Sequence, residues 1–322
     1  MDEQIPEQQT SPEEELVQLF MEAAREKKLL QVIEHVNEKL GLPVPPLLVS
    51  TDIIAPNLWA TREPDTVRIF HEYIAATDQL ILWTANVAHS LHQLPDEKLN
   101  MPTVRAFDLI FTAVLSHLIA VRELSLRGLD VQAKQILRCL IEYIELAMLI
   151  SAQKHIAVAF LGCQDFEQMN EFWHTHFGKA KARKFKASRQ LAETISESAA
   201  EGFRKWHSYV SKVLSAAVHP SIAAATLSGS VSKALPEMYP AFFPPVRENC
   251  VETLQYLYFS FVDIVTWDNQ SVIKNLLEQF DLGVPEERAS HDLINNHANA
   301  LSLIGSFLLA RADYLRQTQE YE

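Results

Sequence analysis

The stretch DVQAKQILRCLIEYIELAMLISAQ, Asp130 to Gln153, decides the fold. Ile136, Leu137, Leu140, Ile141, Ile144, Ala147, Met148 and Ile150 recur at helical spacing and cover most of the circumference. A helix apolar over so much of its surface is embedded among other helices. Its charges are confined to one stripe: Lys134, Arg138, Glu142 and Glu145 are spaced by four, four and three, which stacks them on one face. That stripe faces either water or a polar cleft between helices. Just before it, Leu126-Arg127-Gly128-Leu129 supplies a glycine stop for a preceding helix, and Asp130 reads as the N-cap of this one.

The segments on either side have the same character. Phe107, Ile110, Phe111, Val114, Leu115, Leu118 and Val121 predict a helix over about 102–127, and another precedes it over about 65–94, ending before Pro95. The central helix has no strong stop before Leu161 and is expected to continue towards it. Asp165 caps a shorter helix, DFEQMNEFWHTHF, that stops at Gly178. A long helix over about 188–218 puts Phe203, Trp206, Val210, Val213, Leu214 and Ala217 on one face and Lys205, Ser208, Lys212 and Ser215 on the other. His219-Pro220 ends it, because the residue before proline is pushed out of the helical region.

At the N-terminal end, residues 1–10 are expected to be disordered, and Ser11-Pro12-Glu13-Glu14 starts a helix that runs to Leu40. Residues 42–64 form a proline-rich connector apolar enough to pack along the helical body, so 11–64 reads as an N-terminal helix with a packed connector. Residues 65–322 read as the helical-bundle domain. Within it, 220–246 is a proline and aromatic loop carrying Tyr239, Phe242 and Phe243. Further helices are expected over about 246–266, 269–281 and 286–317, and residues 246–322 either complete the bundle or form a sub-lobe. Trp173, Trp206, Trp267 and the Tyr256-Leu257-Tyr258-Phe259 cluster sit at helical spacing and are expected in the core. Two-residue alternation and hairpin turn pairs are missing. The fold class is therefore all-α, a multi-helix bundle of about eight helices.

Composition agrees. Only eight glycines in 322 residues favours long helices with few turns, against an average usage near ~7%. A net charge of −13 works against general affinity for nucleic acid or anionic membranes. The acidic start MDEQIPEQQTSPEEE does not read as a targeting peptide. The best candidate for a membrane span, around 136–150, is interrupted by Arg138, Glu142 and Glu145. Cys139, Cys163 and Cys250 are isolated and suit a reducing compartment. A cytoplasmic protein that does not engage membranes is expected.

Three constellations carry possible chemistry. The first joins Arg138, Glu142 and Glu145 to Tyr209, Ser215, His219 and Ser221 at the end of the 188–218 helix. Its structural alternative is an ion pair on a wet helix face, with His219 complementing a helix C-terminus. The second is the basic run Lys179, Lys181, Arg183, Lys184, Lys186 and Arg189, without which the chain would stand at −19 instead of −13. It would contact a phosphate backbone such as RNA or an acidic partner, or else balance the protein's own acidic surface. The third is His89-x-x-His92 with Glu171-x-x-His174. A di-iron bundle needs a second Glu-x-x-His element, and the chain has only one, so no metal and no cofactor is expected.

The Arg-x-x-x-Glu on a buried helix, followed by a Tyr…Ser-x-x-x-His-Pro-Ser helix end, resembles a widespread bacterial all-helical family similar to HEPN-type helical bundles. The resemblance covers roughly residues 105–222. It implies a stress or phage-defence setting and, in the ribonuclease members, metal-independent cleavage by an arginine and a following histidine with four to six residues between them. Here Arg204 and His207 are only three positions apart, and the residue at the right distance before His219 is Lys212, a poorer bidentate phosphate clamp. The function expected first is thus a binding or regulatory protein, acting as a homo-oligomer or with a protein partner, with a polar cleft around Arg138, Glu142 and His219. A ribonuclease with His219 as acid/base and Arg138 or Lys212 as the cation is the alternative.

Overall fold

A computed structural model of the chain describes residues 64–177, 197–219, 248–267, 297–301 and 303–308. Among these the regular structure is entirely helical, and no strand occurs. The helices are α1 (Pro64–His92), α2 (Asp96–Leu99), α3 (Pro102–Leu126), α4 (Asp130–Ala152), α5 (His155–Leu161), α6 (Phe166–His176), α7 (Glu197–Val218), α8 (Glu248–Trp267) and α9 (297–301 and 303–308). The expected N-terminal helix and connector, the basic run, the proline and aromatic loop and the 269–281 stretch lie outside the described residues.

α3 and α4 form the central hairpin. Gly128, at φ 73°, occupies the left-handed conformation that only glycine adopts without strain. Gly128 N–H donates to Ser125 O at 3.1 Å and Leu129 N–H to Leu124 O at 2.9 Å, the two bonds of a Schellman closure. The next helix begins at Asp130 itself, with Leu129 as the flanking residue and no side-chain cap. Asp130 is thus not the N-cap its position after glycine predicts; its carboxylate turns into the protein.

α1 lies antiparallel to α3, since Asp78 meets Arg122 while Trp83 meets Phe111. α8 packs against α1, α3 and α4, and Tyr258 donates to Leu301 O of α9 at 2.8 Å. Phe70, Phe107, Leu118, Leu137, Leu254, Tyr258 and Phe307 all belong to one continuous apolar core, so the described residues beyond 246 share the interior of the rest. Each such side chain contributes about 1.5–3 kcal/mol of transfer free energy.

Three details depart from the sequence reading. The central helix stops at Ala152, where Gln153 takes φ −139° and ψ 83°, and α5 starts afresh. The described helix long and apolar enough to cross a bilayer is α3, not the 136–150 stretch; it packs between α1 and α4 and carries the buried Arg122. Trp173 stands on the surface of α6, whereas Tyr256, Leu257 and Tyr258 are buried as expected.

Candidate functional site

α4 and α7 run antiparallel, and their polar residues meet in register. Gln135 Nε2 donates to Ala217 O at 2.9 Å, and Arg138 Nη1 donates to Ser215 Oγ at 2.8 Å. One and two turns further along α4, Glu142 and Glu145 come level with Ser211 and His207 of α7. The residues Arg138, Ile141, Glu142, Glu145, His207, Val210, Ser211 and Leu214 line a shallow, open pocket with a cavity volume of about 30 Å³ that widens into solvent. Three- and four-residue steps on both helices put them on facing sides. Ile141, Val210 and Leu214 form the apolar wall, so the polar groups work where water is partly excluded.

Arg138 organises the pocket. Its Nε donates to Glu142 Oε1 at 3.3 Å and its Nη1 to Ser215. A guanidinium has five N–H donors. Three of those on Arg138 therefore have no protein acceptor among the described residues. Its side chain is 29% exposed and that of Glu142 35%, so a solute can reach both. Next to Arg138, burial and then Glu142 raise the Cys139 thiol pKa above the ordinary value, outweighing Arg138.

The expected site residues divide accordingly. Arg138, Glu142 and Glu145 line the pocket, and Ser215 anchors Arg138. His219 is exposed one turn beyond Ser215, to whose carbonyl its N–H donates at 3.2 Å. It stands about 12 Å along the helix axis from the level of Glu142, eight residues at ~1.5 Å each. Lys212 is exposed and outside the lining. Tyr209 is on another flank of α7, its ring edge-on to Tyr256 at 6.2 Å. Ser221 and the basic run Lys179, Lys181, Arg183, Lys184, Lys186 and Arg189 lie outside the described residues. The pocket's imidazole is His207, which the sequence reading considered only in relation to Arg204. The usable signal was that residues 207, 210, 211 and 214 share a helix face.

The start of the charge stripe serves a different purpose. Lys134 is 2% exposed and sits between Asp130 Oδ2 at 2.9 Å and Glu252 Oε2 at 3.3 Å. Thr253 donates to the other oxygen of Asp130, and Tyr256 donates to Glu252 Oε1 at 2.5 Å. Burial, and after it Glu252 and Tyr209, push the Tyr256 phenol well above its ordinary pKa. This cluster ties α4 to α8 and, through Tyr256 and Tyr209, to α7. A second buried pair joins Arg122 Nε to Asp78 Oδ1 at 2.5 Å, and Arg122 Nη1 also reaches Glu123 at 2.8 Å. Burial raises the Asp78 pKa by more than Arg122 lowers it.

The histidines of the third constellation are engaged separately. His89 shares a hydrogen bond with Gln93 at 2.9 Å, and His92 Nδ1 lies 2.7 Å from Asp108 Oδ1. Glu171 and His174 are exposed on α6. Among the described residues no three His, Cys, Asp or Glu side chains are grouped to hold a metal ion. The chain matches no protein-family model, no curated protein and no solved structure.

Proposed function

We propose that this protein works by binding, and that the pocket between α4 and α7 takes a small polar solute bearing both a hydrogen-bond acceptor and a donor or positive group. The observation that carries this reading is the state of Arg138. Held by Glu142 and Ser215, its guanidinium is positioned before any ligand arrives, and three donors remain for a carboxylate or carbonyl. The carboxyl groups of Glu142 and Glu145 in the same space suit the opposite end of such a solute.

One observation favours a second reading, the HEPN-like ribonuclease. The pocket is lined by both an imidazole, His207, and a guanidinium, Arg138, the two groups that reaction uses, about 12 Å apart along the helix axis at ~1.5 Å per residue. The pair comes from two helices rather than one motif. His219, the acid/base implied by the resemblance, stands outside the pocket.

Two measurements on the purified chain separate the readings. In a thermal-shift panel of amino acids and their amides, at least one compound is expected to raise the melting temperature of the wild type. The same compound should leave Arg138→Gln unmoved. RNA incubated with chelator is expected to stay intact. Chelator-resistant cleavage that disappears in His207→Ala or in His219→Ala would establish the ribonuclease instead.

A further inference from the structure

We propose that Glu252 of α8 is a positioning residue for the pocket: from outside the lining, its carboxylate sets where α7 stands against α4. This rests on the reading of the α4–α7 pocket as the binding site. Both walls of the pocket lean on this one side chain. Glu252 Oε2 accepts from Lys134 Nζ at 3.3 Å, and Lys134 stands one turn before Arg138 on α4. Glu252 Oε1 accepts from the Tyr256 hydroxyl at 2.5 Å, and the Tyr256 ring meets that of Tyr209 on α7 edge-on, at 6.2 Å and 78°. Glu252 and Tyr256 are one turn apart, so they share a face of α8. The bond from Arg138 to Ser215, at 2.8 Å, completes a circuit from α4 through α8 and α7 back to α4.

α7 depends on such a brace. Its buried apolar residues, among those described, are Val210, Leu214 and Ala217, which follow one another along a single stripe. A helix seated along one narrow stripe can rock about it, and elements with few buried contacts open most easily. The polar anchors of α7 on α4, Ser215 and the Ala217 carbonyl, both lie in its last turn. Tyr209 lies six residues back from Ser215, about 9 Å along the axis at ~1.5 Å per residue, among the lining residues His207, Val210 and Ser211. Its contact with Tyr256 therefore steadies the pocket-bearing part of α7, away from those anchors. Burial, and after it Glu252 and Tyr209, keep the Tyr256 phenol protonated well above its ordinary range, so its hydroxyl remains a donor to Glu252 at neutral pH. With one carboxylate oxygen committed towards each wall, the hold on α7 and the hold on α4 depend on each other.

Amide hydrogen exchange of the full chain without ligand, followed by mass spectrometry and corrected for intrinsic rates, tests the proposal. Glu252→Gln is expected to speed exchange over residues 207–214 of α7 by about 5-fold, the worth of one hydrogen bond, while residues 106–121 of α3 exchange as in the wild type. Tyr209→Ala should do the same, and since Tyr209 is 53% exposed this variant leaves the interior intact. The two residues act through Tyr256, so the double variant should exchange no faster than the quicker single one. Independent effects would instead multiply to roughly 25-fold. The proposal is overturned if either single variant leaves residues 207–214 unchanged, if α3 quickens in step with α7, or if the two effects multiply. No ligand takes part, so these results stand apart from whether any compound of the amino-acid panel binds.

Discussion

Arg122→Met tests the interior most directly. Arg122 and Asp78 are both nearly sealed from water, and the guanidinium contacts the carboxylate twice, through Nε at 2.5 Å and Nη2 at 3.3 Å. Methionine fills most of the arginine's volume, so the substitution removes the charge without opening a large void. What remains is a buried carboxylate with no cation. Breaking a buried pair from one side costs on the order of 3–5 kcal/mol, most of it the stranded charge. Glu123, half exposed, turns to solvent and adds little. In the double variant Asp78→Leu/Arg122→Met the stranded charge is gone, and stability should return to within about 1 kcal/mol of the wild type or exceed it. Urea unfolding of all four proteins gives the cycle, with a coupling of at least about 3 kcal/mol expected. The penalty of the single variant should also depend on pH. Burial already raises the Asp78 pKa, and without Arg122 it rises further. A carboxyl whose folded pKa is raised folds with proton uptake, so the penalty is largest at neutral pH and shrinks as pH falls through that raised value. A single-variant loss below about 1 kcal/mol, or a cycle in which the two losses simply add, would refute this account of the pair.

Other expectations follow from the same interior. Lys134→Met strands Asp130, which among the described residues keeps only Thr253 as a side-chain partner, and should cost about 2–4 kcal/mol by calorimetry; Glu252, partly open to water, adds little. His297, buried beside Gln79, is held by burial at a pKa of about 4 against 6.5. The unfolded chain takes up that proton first, so stability should fall between pH 6.5 and 4 by up to about 3 kcal/mol. His71, also lowered by burial, adds to the slope, and Asp78 opposes it. His297→Gln should flatten the melting temperature against pH over that window. Gly128→Ala should cost about 1–2 kcal/mol in urea unfolding, because alanine at φ 73° brings Cβ against the following carbonyl.

The helices were legible because their information is local. Leu124, Ser125 and Gly128 lie within five residues, so the turn between α3 and α4 can be read from the chain. Partners of buried charges cannot. Lys134 finds Glu252 118 positions away and Arg122 finds Asp78 44 positions away, and periodicity records a polar stripe without saying which of its members goes dry. The same limit explains the site. Arg138, Glu142 and Glu145 were visible as a face of α4, but choosing His207 over His219 requires the antiparallel register of α7. Trp173 was misplaced because a seam facing solvent and a seam facing the core have the same spacing.

The buried cluster around Lys134 also sets an order of events at the ribosome. α3 and α4 can meet once residue 152 has emerged, since everything they exchange is close in sequence. Glu252 arrives 118 residues after Lys134, which at ~5–20 residues per second is on the order of 6–24 seconds. Throughout that delay the surface destined for α8 carries an ammonium group attended only by Asp130. A fully apolar surface there would be free to adhere to other nascent chains. The charge keeps it wetted until its own helix is made.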